Sequence, residues 1–179
     1  MGFRDDARTV LVIASLVTAL YIGAGTLTWA LRLPGDMSLP IVVRSLGAAL
    51  IVEGAAIVAW LLRHRPARDI LTSTGETVLK LLRRRPLAAM GGRTESLVVR
   101  GPYRLVRHPM YSGVGSMALG IGLLADRTWA FAGALGLCVW FAAVLAPFEE
   151  RELRLLFGTA YEAYVRATPR FLPVPRRRR

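Results

Sequence analysis

The stretch GPYRLVRHPMYSG, Gly101 to Gly113, governs the reading of this chain. It holds two Arg, one His, two Tyr, two Pro and two Gly where a basic segment gives way to an apolar one. Polar and aromatic groups so concentrated at such a border suggest that something binds there. Pro109 drives His108 towards an extended backbone and is itself favoured as the first residue of a helix. His108 therefore reads as a helix cap, with a helix starting at Pro109. A helix N-terminus presents free N–H groups and partial positive charge, and Arg107 adds a full charge beside it. A carboxylate or a phosphate is the natural guest.

Downstream, Met110 to Leu124 is apolar but only about 15 residues, some 22 Å as a helix. Ala125 to Thr128 forms a tight turn, and Trp129 to Ala146 returns as a longer apolar helix. The two read as a helical hairpin. Small residues on its first arm, Gly113, Gly115, Ser116, Ala118, Gly120 and Gly122, allow a backbone or a ligand to come close. Gly113, Gly115 and Ala118 fit G-x-G-x-x-A, but no strand precedes them and no acidic residue follows at the required distance, which excludes a dinucleotide fold. Pro147 ends or kinks the returning arm. Phe148-Glu149-Glu150-Arg151-Glu152 then forms a charged cluster, and Leu153 to Arg166 reads as a surface helix. The hairpin brings its ends together, so Glu149 and Glu150 come near Arg107 and His108. Opposite charges side by side suit a zwitterion, such as the amino-acid end of S-adenosylmethionine.

Upstream, Thr9 to Leu31 and Ile41 to Leu62 are apolar runs long enough to cross a hydrocarbon core of about 30 Å. The first is too long for the apolar region of a signal peptide. The second contains Arg44 and Glu53, both costly in lipid. Nine residues apart, they lie on opposite faces of a helix. Arg44 is near an end and can snorkel. Glu53 is central, and it is either a functional carboxylate or one bonded to a neighbouring helix. Gly47 and Gly54 point to close helix packing nearby. Between the spans and the motif lies a basic connection. There Ile70, Leu71, Val78, Leu79 and Leu82 form one side of an amphipathic helix suited to an anionic leaflet, followed by Arg83-Arg84-Arg85 and the Gly91-Gly92 loop.

The chain has 179 residues, is 54% hydrophobic and carries a net charge of +12. The apolar excess falls in long runs, which marks a membrane protein rather than a basic soluble one. Nucleic-acid binding is excluded, because the basic residues show no aromatic interleaving on a recognisable module. The single cysteine, Cys138, permits neither an intramolecular disulfide nor a cysteine zinc site, and no metal is expected. With both termini cytoplasmic, 21 Lys and Arg lie inside and only Arg32 and Arg127 outside. The fold expected is all-α and polytopic, with about four transmembrane helices. It forms one integral membrane domain over 1–179: two spans in 9–62, the basic connection 63–100, and the hairpin with its C-terminal helix in 101–173. The motif and the acidic pair then share the cytosolic face.

The ordered set Gly101-Pro102-Tyr103, Arg107-His108-Pro109-Met110-Tyr111-Ser112-Gly113, Glu149-Glu150, Phe157-Gly158, Tyr161, Tyr164 and Pro169-Arg170-Phe171 resembles the isoprenylcysteine carboxyl methyltransferase and phospholipid methyltransferase superfamily of membrane enzymes. The resemblance covers roughly Leu97 to Pro173. It implies S-adenosylmethionine held at the cytosolic face by Tyr103, His108, Pro109, Tyr111, Gly113, Glu149 and Glu150. It also implies catalytic parts for Arg107 and Glu150, and a position facing the acceptor for Arg170. The acceptor is expected to be a lipid or lipid-like molecule, with the carboxylate of a prenylated cysteine, a phospholipid amine and a small thiol all open. The oligomeric state is open too. The competing reading is a non-catalytic helical scaffold whose Arg83–Arg85 and Arg176–Arg179 clusters bind anionic lipid or a partner.

Overall fold

The computed structural model describes residues 3–82 and 97–173. Among these the chain is helical, apart from turns, connecting segments and one isolated bridge between Asp36 and Arg127. Helix α1 is Phe3–Ala30, α2 is Ile41–His64 and α3 is Ala67–Leu82. A 3-10 turn, Gly101–Arg104, leads to α4, Pro109–Ala125. Then α5, Thr128–Trp140, continues through a π-helical segment, Phe141–Leu145, into α6, Ala146–Ala167. Among the described residues three helical stretches are long and apolar enough to cross a membrane: Val10–Ala30, Ile41–His64 and Thr128–Ala167. The short arm, Pro109–Ala125, falls below that length, so the fourth span of the expected set is not established.

The last stretch runs for 40 residues, about twice what a bilayer core needs. Its apolar part ends at Ala146, and the charged half from Glu149 projects beyond it. Pro147 does not end this helix. Its ring would crowd the carbonyl four residues back, and it offers no N–H. The π-helical segment widens the turn just before it, with the Ala146 N–H reaching back to the Phe141 carbonyl. The bend comes instead at Gly158, whose φ of 48° and ψ of −122° interrupt α6. The stretch expected as a separate surface helix, Leu153 to Arg166, is thus the kinked continuation of the hairpin arm.

Helix α2 packs chiefly on α4, and α1 on α5. Glycines seven residues apart return to one face of a helix. Gly47 and Gly54 on α2 therefore meet Gly120 and Gly113 on α4, in antiparallel order. A Cβ at Gly54 would run into the Gly113 carbonyl, and one at Gly47 into the Gly120 carbonyl, at 2.7 Å. The small-residue face of the short arm serves backbone contact. Arg44 donates to the Leu124 carbonyl at the end of α4 (3.2 Å), which anchors the intramembrane guanidinium. At this end of the bundle the two connecting loops are clasped. Asp126, in left-handed conformation, accepts from the Leu39 N–H at 3.1 Å, and Arg127 pairs with Asp36.

Helix α3 departs from the expectation of a helix lying on lipid. It packs against α1 and α6, and Val78 is buried with Tyr111, Leu145 and Ala146. Its apolar stripe thus finds a protein partner, and Thr77 and Lys80 are buried as well. The Arg83–Arg85, Gly91-Gly92 and Arg176–Arg179 segments lie outside the described residues.

Candidate active site

The two ends of the α4–α5–α6 hairpin do meet. His108 is the N-cap of α4 with φ −123° and ψ 64°, outside the helical region that a following proline disfavours but short of the fully extended backbone expected. Its Nε2 lies 3.2 Å from Glu150 Oε1, and its Nδ1 lies 3.3 Å from Glu149 Oε2. Glu150 is fully buried and is the hub. Arg170 binds it bidentately, at 2.8 and 2.7 Å, and Arg107 Nη1 approaches to 3.1 Å. Glu149 Oε1 accepts from the Tyr111 hydroxyl at 2.7 Å and from Thr77 at 3.4 Å.

Electrostatics follow from this geometry. Burial alone would raise the Glu150 carboxyl. The hydrogen bonds from His108 and Arg170 and the charges of Arg107 and Arg170 outweigh it, holding the group at about 2. Burial pulls His108 down, but hydrogen bonds and charge from both carboxylates win, so its affinity for a proton is raised. The Glu150 bond likewise pushes Arg170 up. The cap is therefore a charge-compensated knot: one carboxylate is shared by Arg107, His108, Arg170 and, at 3.8 Å, Arg154, and a second steadies the imidazole.

A strap closes over the cap. The Arg107 and His108 N–H groups donate to the carbonyls of Pro169 (2.9 Å) and Arg170 (3.1 Å), and Ser112 Oγ donates to the Phe171 carbonyl at 2.8 Å. The rings then stack in series. Phe171 lies 5.7 Å from His108, His108 5.5 Å from Tyr111, and Tyr111 4.7 Å from Phe141. Upstream, Gly101 takes a φ of 59° with the His64 ring against it, so the turn into the motif admits no Cβ.

On one side of this knot is a part-open cavity of about 140 Å³ between α3, the motif and α6. Arg107, His108, Tyr111, Glu149, Tyr161 and Tyr164 line it, together with Tyr103 and Pro109. Glu150 and Arg170 do not; their charges are spent on each other and on the cap. Gly113 faces Gly54 on the far side of α4. Two buried polar groups at the cavity are left over. Among the described residues the Tyr161 hydroxyl makes no aligned hydrogen bond, although the Arg107 guanidinium lies within its reach. Nor do Arg107 Nε and Nη1, because Nη1 sits close to Glu150 without the alignment of a hydrogen bond. Buried donors without partners are rare and point to a ligand acceptor.

The charge pattern of the motif did not reveal what α3 contributes. Thr74 and Thr77 line the cavity, and Lys80 forms a buried ion pair with Glu152 of α6. These three residues recur every third position, one stripe of a helix, next to the apolar stripe of Ile70 and Val78. That adjacency was the available signal. Phe141, which stacks on Tyr111, carried none beyond its apolar character.

Residues 86–160 match the phospholipid methyltransferase family. Over 78 residues, 43% of the chain, it is 37% identical to the probable protein-S-isoprenylcysteine O-methyltransferases of Oryza sativa subsp. indica and subsp. japonica. Over the same length it is 35% identical to protein-S-isoprenylcysteine O-methyltransferase B of Arabidopsis thaliana. The match spans only about 40% of the length of these curated relatives. No solved structure matches the chain.

Proposed function

Proceeding from the kinship of residues 86–160 with the phospholipid and isoprenylcysteine methyltransferase superfamily, we propose that this protein is an integral membrane methyltransferase. It uses S-adenosylmethionine and acts on a lipid or lipid-like acceptor. The observation that carries the reading is the pair of leftover donors, Arg107 and the Tyr161 hydroxyl, facing the same cavity as the Glu149 carboxylate.

These residues fit the amino-acid end of that donor. Arg107 and the Tyr161 hydroxyl would donate to its carboxylate, and Glu149 would accept from its ammonium. Tyr103, which lines the cavity, offers an aromatic ring to a sulfonium, an attraction worth about 0.5–2 kcal/mol. The cofactor supplies an electrophilic methyl group on an excellent leaving group. The protein's task is then alignment and exclusion of water. His108, Tyr111 and Glu149 make one hydrogen-bonded wall, and Glu150 with Arg170 holds that wall in place. In this scheme Glu150 and Arg170 act as positioning residues. The cytosolic face is proposed for the site, because basic residues concentrate at this end of the bundle.

Calorimetric titration of the purified protein in detergent with S-adenosylmethionine tests the proposal. Saturable binding that weakens at least tenfold in Arg107→Met, with thermal stability retained, is expected. Absence of binding to the wild-type protein refutes it. Membranes supplied with methyl-labelled donor then report whether the label enters lipid.

A further inference from the structure

Glu53 is not used by the cap or by its cavity. It sits at the middle of α2, inside a membrane-spanning helix, and its side chain is exposed. It makes no hydrogen bond or ion pair among the described residues. A carboxylate at that depth is expensive, and one without a partner is more so. Among the described residues no neighbouring helix bonds it, which leaves the carboxylate open to an occupant.

Glu53 also borders a second cavity, of about 110 Å³, on the α2–α4 face. Trp60, Ser116, Phe171 and Leu172 are among its walls, and its surface is mostly apolar. Among its lining residues Glu53 is the one ionisable group, and no cation faces it. Arg44, on the same helix, is held by the Leu124 carbonyl at the other end of α4. Pro109 lines both this groove and the cavity beside the cap, and the Phe171 ring separates the groove from His108. The groove therefore ends one side chain away from the cap.

We infer that this groove binds the head of a single-chain amphiphile bearing a protonated amine, with Glu53 as the counter-charge that selects it. The inference rests on the methyltransferase reading for its biological sense, since it makes an amine the acceptor class. Its physical basis is separate. A lone carboxylate in a low-dielectric wall attracts an ammonium and repels a second carboxylate. An anionic acceptor would put two like charges together with nothing to neutralise them. The apolar walls suit the carbons next to the head, and Ser116 supplies a hydroxyl that makes no hydrogen bond among the described residues.

The test uses the full chain in phosphatidylcholine nanodiscs with two spin-labelled probes, stearylamine and stearic acid. Wild-type protein should immobilise the amine and not the acid. Glu53→Gln should weaken amine retention by roughly ten- to a hundredfold, the range for losing a charged hydrogen-bonded partner. Glu53→Asp, which keeps the charge, should recover part of it. S-adenosylmethionine titration of the same samples reports the cap independently. If wild type and Glu53→Gln hold the amine equally, or the acid is preferred, the inference is overturned. If the donor fails to bind while the amine still depends on Glu53, the methyltransferase reading falls and the groove assignment stands.

Discussion

Replacing Glu150 by Gln keeps the shape of the hub and removes its charge, leaving Arg107, His108, Arg170 and the more distant Arg154 without their shared partner. The cost can be worked from the structure. A carboxyl carried from an ordinary 4.5 down to about 2 by folding contributes about 3 kcal/mol. Arg170 is 37% exposed, so solvent screens its share, and about 2–3 kcal/mol is the expected loss. This is at or just below the usual range for breaking one side of a buried ion pair, about 3–5 kcal/mol. For a chain of this size the apparent Tm should fall by roughly 5–10 °C. The pH dependence gives the sharper signature. Glu150 is lowered by folding, so its contribution is whole above about 4.5 and fades as pH falls towards 2. His108 is raised, so its contribution is whole below 6.5 and fades as pH climbs past its raised value. The gap between wild type and Glu150→Gln should therefore be widest between pH 4.5 and 6.5 and should close on the acid side. Tryptophan fluorescence during heating in detergent, across that pH range, measures it. A variant that tracks the wild type within about 1 °C at every pH would refute the assignment of Glu150 as the hub.

Four further outcomes are expected. Tyr111→Phe removes the hydroxyl that holds Glu149 at 2.7 Å, and donor affinity measured by calorimetry should fall about fivefold to tenfold with little change in Tm. Gly54→Val forces a branched side chain into the α2–α4 contact, and thermal unfolding should show a loss of at least about 2 kcal/mol. Lys80→Met strands Glu152 in a buried site; it should cost about 3–5 kcal/mol, and the double variant Lys80→Met with Glu152→Met should recover most of that stability. Gly158→Ala meets no atom within 4 Å but must hold a φ of 48° with a ψ of −122°, so its penalty of about 1–3 kcal/mol is purely conformational and should appear as a drop in Tm.

Much of this architecture could be read from residues because lipid simplifies the problem. Runs such as 9–31 and 41–62 have few stable forms other than helices in a bilayer. The meeting of His108 with Glu149 and Glu150 followed from one turn at 125–128, since a tight turn between two helices brings their far ends together. What resisted reading was context. Pro147 looks like a stop in one dimension, and only the π-helical segment before it shows how the helix accommodates it. Ile70 and Val78 look identical whether they meet lipid or Tyr111. Gly113 offers room equally to a ligand or to Gly54. Glu150 and Glu149 are neighbours of the same type, and only their partners reveal that Glu150 anchors and Glu149 faces the cavity.

The strap from Pro169 to Phe171 has a practical consequence. Its carbonyls complete the backbone bonding of Arg107 and His108, and its guanidinium neutralises the hub. The pocket thus remains unfinished during synthesis until these late positions have left the ribosome. An early termination or a protease nick near Thr168 would leave a correctly inserted bundle with an open, misaligned cap. Such a product would pass every assay for membrane integration and still lack the donor binding proposed for the cap.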